Sequence, residues 1–335
     1  MPPLRGNNSG MFDAIYGDGA DGVVTFTSDT TLLRDMNYEI LTINKGVRIF
    51  ANGYKIRCRQ QCYILGDEFD VGTILNNGLN ARNSNGTVAE VSSSVPAGTS
   101  GGPAGSTGGG GVGGAGMYNG GYPIGSSLHD AGGGAGQLVP AVAQSTNPFY
   151  FLGGAGGAGG NAQAVLSGST LLYVGATGSS GSVQVNAGGL HDFFAAMTCG
   201  NMGLPSGATG SYTPFAGGGG GGAGACGNSG SIGVRPRSGW GGGGGGVVYI
   251  AARDLIFLGK VQAKGGAGGN SFSRGAGGGG GGGGFVMLVY SSILLRNSLN
   301  DQIDVSGGAP GLGFTASGVV APTSGSNGSF FTYGI

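Results

Sequence analysis

Apolar residues along this sequence fall in short, β-branched or aromatic groups separated by turn residues. Between 23 and 66 the groups are residues 23–27 (VVTFT), 38–43 (YEILTI), 47–50 (VRIF), 54–57 (YKIR) and 62–65 (CYIL). Ser-Asp, Asn-Lys-Gly and Asn-Gly steps divide them, and this texture predicts short strands in a compact β unit. Tyr54 and Ile56 alternate with Lys55 and Arg57, as in a strand with one buried face. Residues 71–80 add a further strand and an Asn-Asn-Gly turn. Residues 1–20 read as an irregular lead-in. Residues 17–22 (GDGADG) are turn chemistry, because Asp-Gly steps tolerate positive φ. They share the opening of a calcium loop but lack its later ligand positions.

From about Asn83 to Gly245 the texture changes to Gly, Ser and Ala with apolar islands at 118–122, 149–152, 170–174, 182–185 and 191–197. None carries a helical period. The last third contains an internal repeat. One copy starts in the glycines at 241, passes through residues 247–252 (VVYIAA), 255–258 (LIFL) and 259–263 (GKVQA), and ends in the glycines of 265–269. The other starts at 277, passes through 285–290 (FVMLVY), 293–295 (ILL) and 302–305 (QIDV), and ends in the glycines of 307–311. The strand starts, Val247 and Phe285, are 38 residues apart. Residues 72–78 (GTILNNG) stand in the first unit where 259–266 stand in the repeat. Periods of this length signal stacked architectures.

Glycine supplies 84 of the 335 residues, much of it in near-pure runs at 108–114, 153–160, 217–222, 241–246, 265–269 and 277–284. Such runs read as linker when isolated. Here several open directly into the most apolar strands, and a linker has no reason to alternate with core. Glycine costs about 1 kcal/mol per residue against alanine in regular structure. Long ordered runs therefore need a compensating arrangement. Polyglycine II helices, with three residues per turn, supply one: without side chains they approach on every side and bond main chain to main chain. The expected fold is all-β: short-strand β-solenoid or sandwich units with packed polyglycine II helices and essentially no α-helix. The expected divisions are an N-terminal β attachment unit (1–82), a glycine-rich middle with loops (83–240) and a strand/glycine-run repeat unit (241–335).

Only 9% of residues are charged, with 15 basic and 15 acidic side chains. No basic cluster provides the footprint of nucleic-acid binding, and no apolar stretch approaches the roughly 18 residues of a membrane span. The first residues, MPPLRGNN, lack the apolar core of a signal peptide. Four cysteines, Cys58, Cys62, Cys199 and Cys226, leave three readings open: free thiols, a disulfide, or a zinc site in which the distant pair converges on the first. Catalytic chemistry is not expected. Only His129 and His191 are available, and no Gly-Lys-Ser/Thr step follows a glycine run. Asp67, Glu68 and Asp70 share one loop and read as solvated. No cofactor or metal is expected.

Loops that join glycine helices are the natural variable tips. The candidate surface-binding residues are Tyr118, Tyr122, Phe149, Tyr150, Tyr212, Phe215, Trp240 and Phe272, for which a role as strand or edge core stays open. Glycine runs opening into strands, as at 241–252 and 277–290, resemble those of bacteriophage tail-fibre adhesins and related virion fibre or spike proteins. In adhesins of T-even-like phages, a sandwich of polyglycine II helices bears receptor-binding loops at its tip. Residues 17–26 (GDGADGVVTF), 33–47 (LRDMNYEILTINKGV) and 51–56 (ANGYKI) are similar to a recurrent phage structural segment. The resemblance implies a non-enzymatic virion structural protein of the fibre, spike or adhesin type, assembled in the host cytoplasm. It implies other virion proteins as partners, a homotrimer, and a host surface glycan or outer-membrane protein as target. The alternatives are a capsid decoration or cement protein without a receptor, and a secreted glycine-rich ice- or surface-binding protein.

Overall fold

The computed structural model describes residues 9–83, 99–103, 105–107, 109–114, 148–152, 159, 162–166, 169–173, 178, 182–186, 217–224, 238–271, 275–313 and 320–335. For residues 9–11 and the four strands between 148 and 186 the description is of the backbone alone. The first element is helix α1 (Ser9–Tyr16), followed by β1 (Val23–Phe26), β2 (Thr30–Thr31), β3 (Met36–Ile43), β4 (Arg48–Phe50), β5 (Lys55–Ile64) and β6 (Thr73–Leu75). The middle holds β7 (Pro148–Leu152), β8 (Ala162–Leu166), β9 (Ser169–Tyr173) and β10 (Ser182–Asn186). The last third holds β11 (Val247–Phe257), β12 (Lys260–Gln262), β13 (Phe285–Leu295), helix α2 (Leu299–Gln302), β14 (Ile303–Asp304) and β15 (Ser329–Gly334).

Alternate strands enter two different parallel sheets. The larger runs β1-β3-β5-β11-β13-β15 and the smaller β14-β12-β6-β4-β2. The backbone therefore winds as a solenoid: a long strand, a turn, a short strand, and a return. The core between the sheets contains Leu41, Ile43 and Ile56 beside Ile49, Ile74, Val261 and Ile303. Burying each such aliphatic residue fully stabilises the fold by about 1.5–3 kcal/mol. Residues of segments 1–82 and 241–335 are interleaved in this one core, because β5 pairs directly with β11. The repeat is expressed in the pairing: Val247 lies beside Phe285, and the register holds through Phe257 and Leu295. Likewise Thr73, Ile74 and Leu75 lie beside Lys260, Val261 and Gln262.

The structure corrects several expectations. The pairs 54–57 and 62–65, 247–252 and 255–258, and 285–290 and 293–295 are not separate strands. Each pair belongs to one long strand, β5, β11 or β13. The inward positions slip phase at one level in two strands, from Tyr38 to Leu41 and from Ala252 to Leu255, while in β5 Cys58 and Cys62 stay in phase. Polar residues mark the slip, and Ser292 donates to Asp254 there at 2.7 Å. A phase slip within a strand has the sequence signature of a turn. Beside it, β5 carries one extra residue against both neighbours, a bulge.

Lys55 does not face solvent as the alternation implies; it is 0% exposed, beneath the outer cover of the larger sheet. Parallel sheets are buried on both faces, so alternation does not separate solvent from core. Residues 9–16 are helical rather than irregular, and α2 is a second short helix, so the fold is all-β with two small helical pieces. Ile15 and Tyr16 pack on the outer face with Val247, Tyr249, Phe285 and Met287. Residues 17–22 do form a positive-φ turn, with φ of 83°, 78° and 69° at Gly17, Gly19 and Gly22.

Candidate functional site

Beyond the sheets the backbone runs on as packed glycine helices. The central one, residues 239–246, shows how they hold together. Gly241 and Gly244 donate to the carbonyls of Gly114 and Gly111, Gly242 and Gly245 to Gly279 and Gly282, and Gly243 and Gly246 to Leu79 and Asn76. Every third N–H thus reaches the same neighbour, which is the signature of three residues per turn. The helix accepts in turn from Gly218 and Gly221, from Gly266 and Gly269, and from Gly102. It donates to three neighbours and accepts from three others.

Residues 275–284 repeat the pattern, donating toward 263–269, 219–222 and 323–326. The expected ordered packing of the glycine runs is therefore observed for the described runs, and residues 76–83 belong to it rather than forming an Asn-Asn-Gly turn.

The spacing leaves no room for side chains. A Cβ built on Gly244 would come well inside 3.0 Å of the Gly218 carbonyl oxygen, and one on Gly283 would do the same at Val305. Apart from the buried methyl groups of Ala223, Ala263 and Ala276, side chains survive where a helix has a free direction. In 241–246 and 277–284 every position is glycine, and both runs are buried throughout. In 263–271 the phase Lys264, Ala267, Asn270 carries side chains, while Cβ atoms on Gly265, Gly266, Gly268 and Gly269 would strike neighbouring backbone. In 305–313 Ser306, Ala309 and Leu312 occupy the corresponding phase.

At the side of the lattice, side-chain amides replace missing main chain. Asn77, Asn80 and Asn83 accept the N–H groups of Lys264, Ala267 and Asn270 at 2.8, 2.9 and 2.8 Å. Asn270 does the same for Leu312 (2.7 Å) and Asn327 for Gly307 (3.1 Å). The three-residue spacing of Asn77, Asn80 and Asn83 is the sequence signal for this ladder, and it is masked where the segment reads as strand and turn.

Gly246 adjoins β11, so Trp240 lies at the lattice end away from the sheets. Gly239 there meets Gly224 and Ala276, Asn270 meets Asn83, Ser271 meets Leu312, and Gly241 meets Gly114. The described residues Asn83, Gly114, Gly224, Ser271 and Gly313 therefore lie together at one end of the lattice. Of the candidate surface residues, Trp240 stands at this end, half-buried, its carbonyl accepting from Gly269 at 2.8 Å. Phe149 and Tyr150 lie in β7, paired antiparallel with Val185 and Gln184 of β10, and their side chains fall outside the description. Tyr118, Tyr122, Tyr212, Phe215 and Phe272 lie outside the described residues, as do His129, His191, Cys199 and Cys226.

Cys58 and Cys62 are free thiols with no exposure. Burial, then contact with Cys62, pushes the Cys58 thiol up, away from the reactive thiolate. Asp67 is held by Lys45 at 2.5 Å and by the N–H groups of Asp70 and Phe69, and the Lys45 bond leads in drawing its carboxyl well below the usual range. Burial pushes the Tyr249 hydroxyl up to about 12, against the opposing effect of Arg57. Among the described residues no group of three or more His, Cys, Asp or Glu is placed to hold a metal, and no helix is long and apolar enough to cross a membrane. Comparison with known proteins returns no matching family model, curated protein or solved structure.

Proposed function

We propose that this protein is a non-enzymatic structural protein of a bacteriophage virion, of the fibre, spike or adhesin type, and that the far end of its glycine lattice carries the contact surface. The observation behind this reading is the gathering of Asn83, Gly114, Gly224, Ser271 and Gly313 at one end of the lattice. A main-chain lattice fixes its own positions without side chains, so side chains at its end are free to vary without disturbing the scaffold. The resemblance of the glycine runs and of residues 17–56 to phage fibre proteins supplies the context. The proposed partners are other virion proteins, further copies of this protein, and a host surface glycan or outer-membrane protein.

Mass spectrometry of purified virions, with copy number, tests this. A low copy number supports a fibre or spike. A high copy number replaces it with capsid decoration, and absence from virions overturns the reading.

A further inference from the structure

The described residues contain three Asn-Gly steps, and the fold treats their glycine nitrogens differently. Gly78 donates its N–H to the Lys264 carbonyl at 2.9 Å, and Gly328 donates to Val305 at 2.8 Å. Both nitrogens are fixed inside the lattice, in extended backbone. Asn52-Gly53 instead forms the two-residue turn between β4 and β5, with φ of 51° and 72°. The Gly53 N–H meets no acceptor among the described residues, while its carbonyl accepts the Thr107 N–H (2.8 Å) and hydroxyl (2.7 Å). Asn52 is half-buried, and its amide makes one long bond, to the Leu32 carbonyl at 3.3 Å.

We infer that Asn52 is a site of spontaneous deamidation, and that the glycine lattice protects Asn77 and Asn327 from the same reaction. The Gly53 nitrogen attacks the Asn52 Cγ, the carbonyl carbon of the amide. The new bond from the Gly53 nitrogen to Cγ closes a succinimide, the bond from Cγ to Nδ2 breaks, and the amide nitrogen leaves as ammonia with the proton from Gly53. Water then opens the ring at either carbonyl, giving aspartate or isoaspartate. The reaction consumes only water and releases only ammonia. For Gly78 or Gly328 to react, each must first give up its lattice hydrogen bond, so reaction waits on local opening. At Asn52 no such bond is broken. The product loses the Asn52 donor to Leu32, and isoaspartate also lengthens the backbone next to Gly53, the anchor of Thr107.

The test is peptide mapping of folded protein aged at mildly alkaline pH, beside the same protein aged in guanidinium chloride. Aspartate and isoaspartate are quantified at the three sites. In the folded protein, conversion at Asn77 and Asn327 is expected to be slower than at Asn52 by at least about tenfold. In denaturant the three rates converge. Asn52→Gly, which suits the positive φ, is expected to abolish conversion in the turn without changing the other sites. Conversion at Asn77 or Asn327 as fast as at Asn52 in the folded protein overturns the inference, as does an Asn52 that stays as inert as they are.

Discussion

The two sheets and the glycine lattice are built from one repeat, and they hold together by opposite means. Between the sheets, Ile250, Leu288 and their neighbours fill space with side chains, and the backbone is spaced to receive them. In the lattice the backbone itself fills the space, and every N–H of residues 241–246 and 278–284 finds a carbonyl on a neighbouring helix. The first arrangement depends on volume and tolerates exchange of similar apolar residues. The second depends on the absence of volume and tolerates none. The repeat unites them: β11 and β13 pair in a constant register, and the glycine helices that feed them pair beside each other. Strand pairing thus fixes the alignment of segments that have no side chains to align themselves.

The largest expected effect comes from adding one methyl group to the lattice. Gly244→Ala brings a Cβ against the Gly218 carbonyl, with only backbone to move, and should cost about 3 kcal/mol or more in chemical denaturation. Ala267→Ser, on the outward phase of its helix, should stay within about 0.5 kcal/mol. Equal effects at these two positions would remove the distinction between inner and outer phases.

Removing one methylene from the sheet core, by Ile250→Val, should cost only about 1 kcal/mol. The contrast with Gly244→Ala separates the two kinds of packing. At the side of the lattice, Asn80→Ala leaves the Ala267 N–H without its acceptor. The site is exposed, so water substitutes and the loss should be about 0.5 kcal/mol. Hydrogen exchange at Ala267 should rise more than global stability falls.

The smallest effect belongs to the charged turn at Asp67. Its folded pKa lies below the unfolded value, so its contribution is present above the ordinary carboxylate range and fades as pH falls through and below it. The melting-temperature gap between the native protein and Asp67→Asn should therefore be small at neutral pH and narrow further in acid.

Much of this architecture is legible in the sequence. The repeat spacing of Val247 and Phe285 appears as strand register, and the correspondence of 72–78 with 259–266 appears as β6 beside β12. The long strands are not legible, because the inward phase slips after Ala252 and a bulge follows Cys58, with polar residues at the break, as at a turn. Lys55 misleads because alternation implies solvent on one face, and at this end of the sheet the outer face is covered as well. Helix α1 is hard to see because, of its residues whose side chains are described, Ile15 and Tyr16 alone reach buried positions on the sheet. The amide ladder is present as Asn77, Asn80 and Asn83, but a three-residue period has meaning only once the segment is known to be a three-residue helix. Of the candidate binding residues, Trp240 is placed at the lattice end away from the sheets, and composition alone does not say which end that is.

The central claim is that the glycine runs are ordered by mutual main-chain bonding. Amide-resolved hydrogen exchange across residues 278–289 tests it most directly, because one stretch spans the lattice run and the start of β13. The account predicts that the N–H groups of Gly278 through Gly284, each bonded to a neighbouring helix, exchange as slowly as those of Phe285 to Val289 in the sheet core. Complete exchange of the glycines within seconds, with the strand still protected, would contradict it and return the runs to flexible linker.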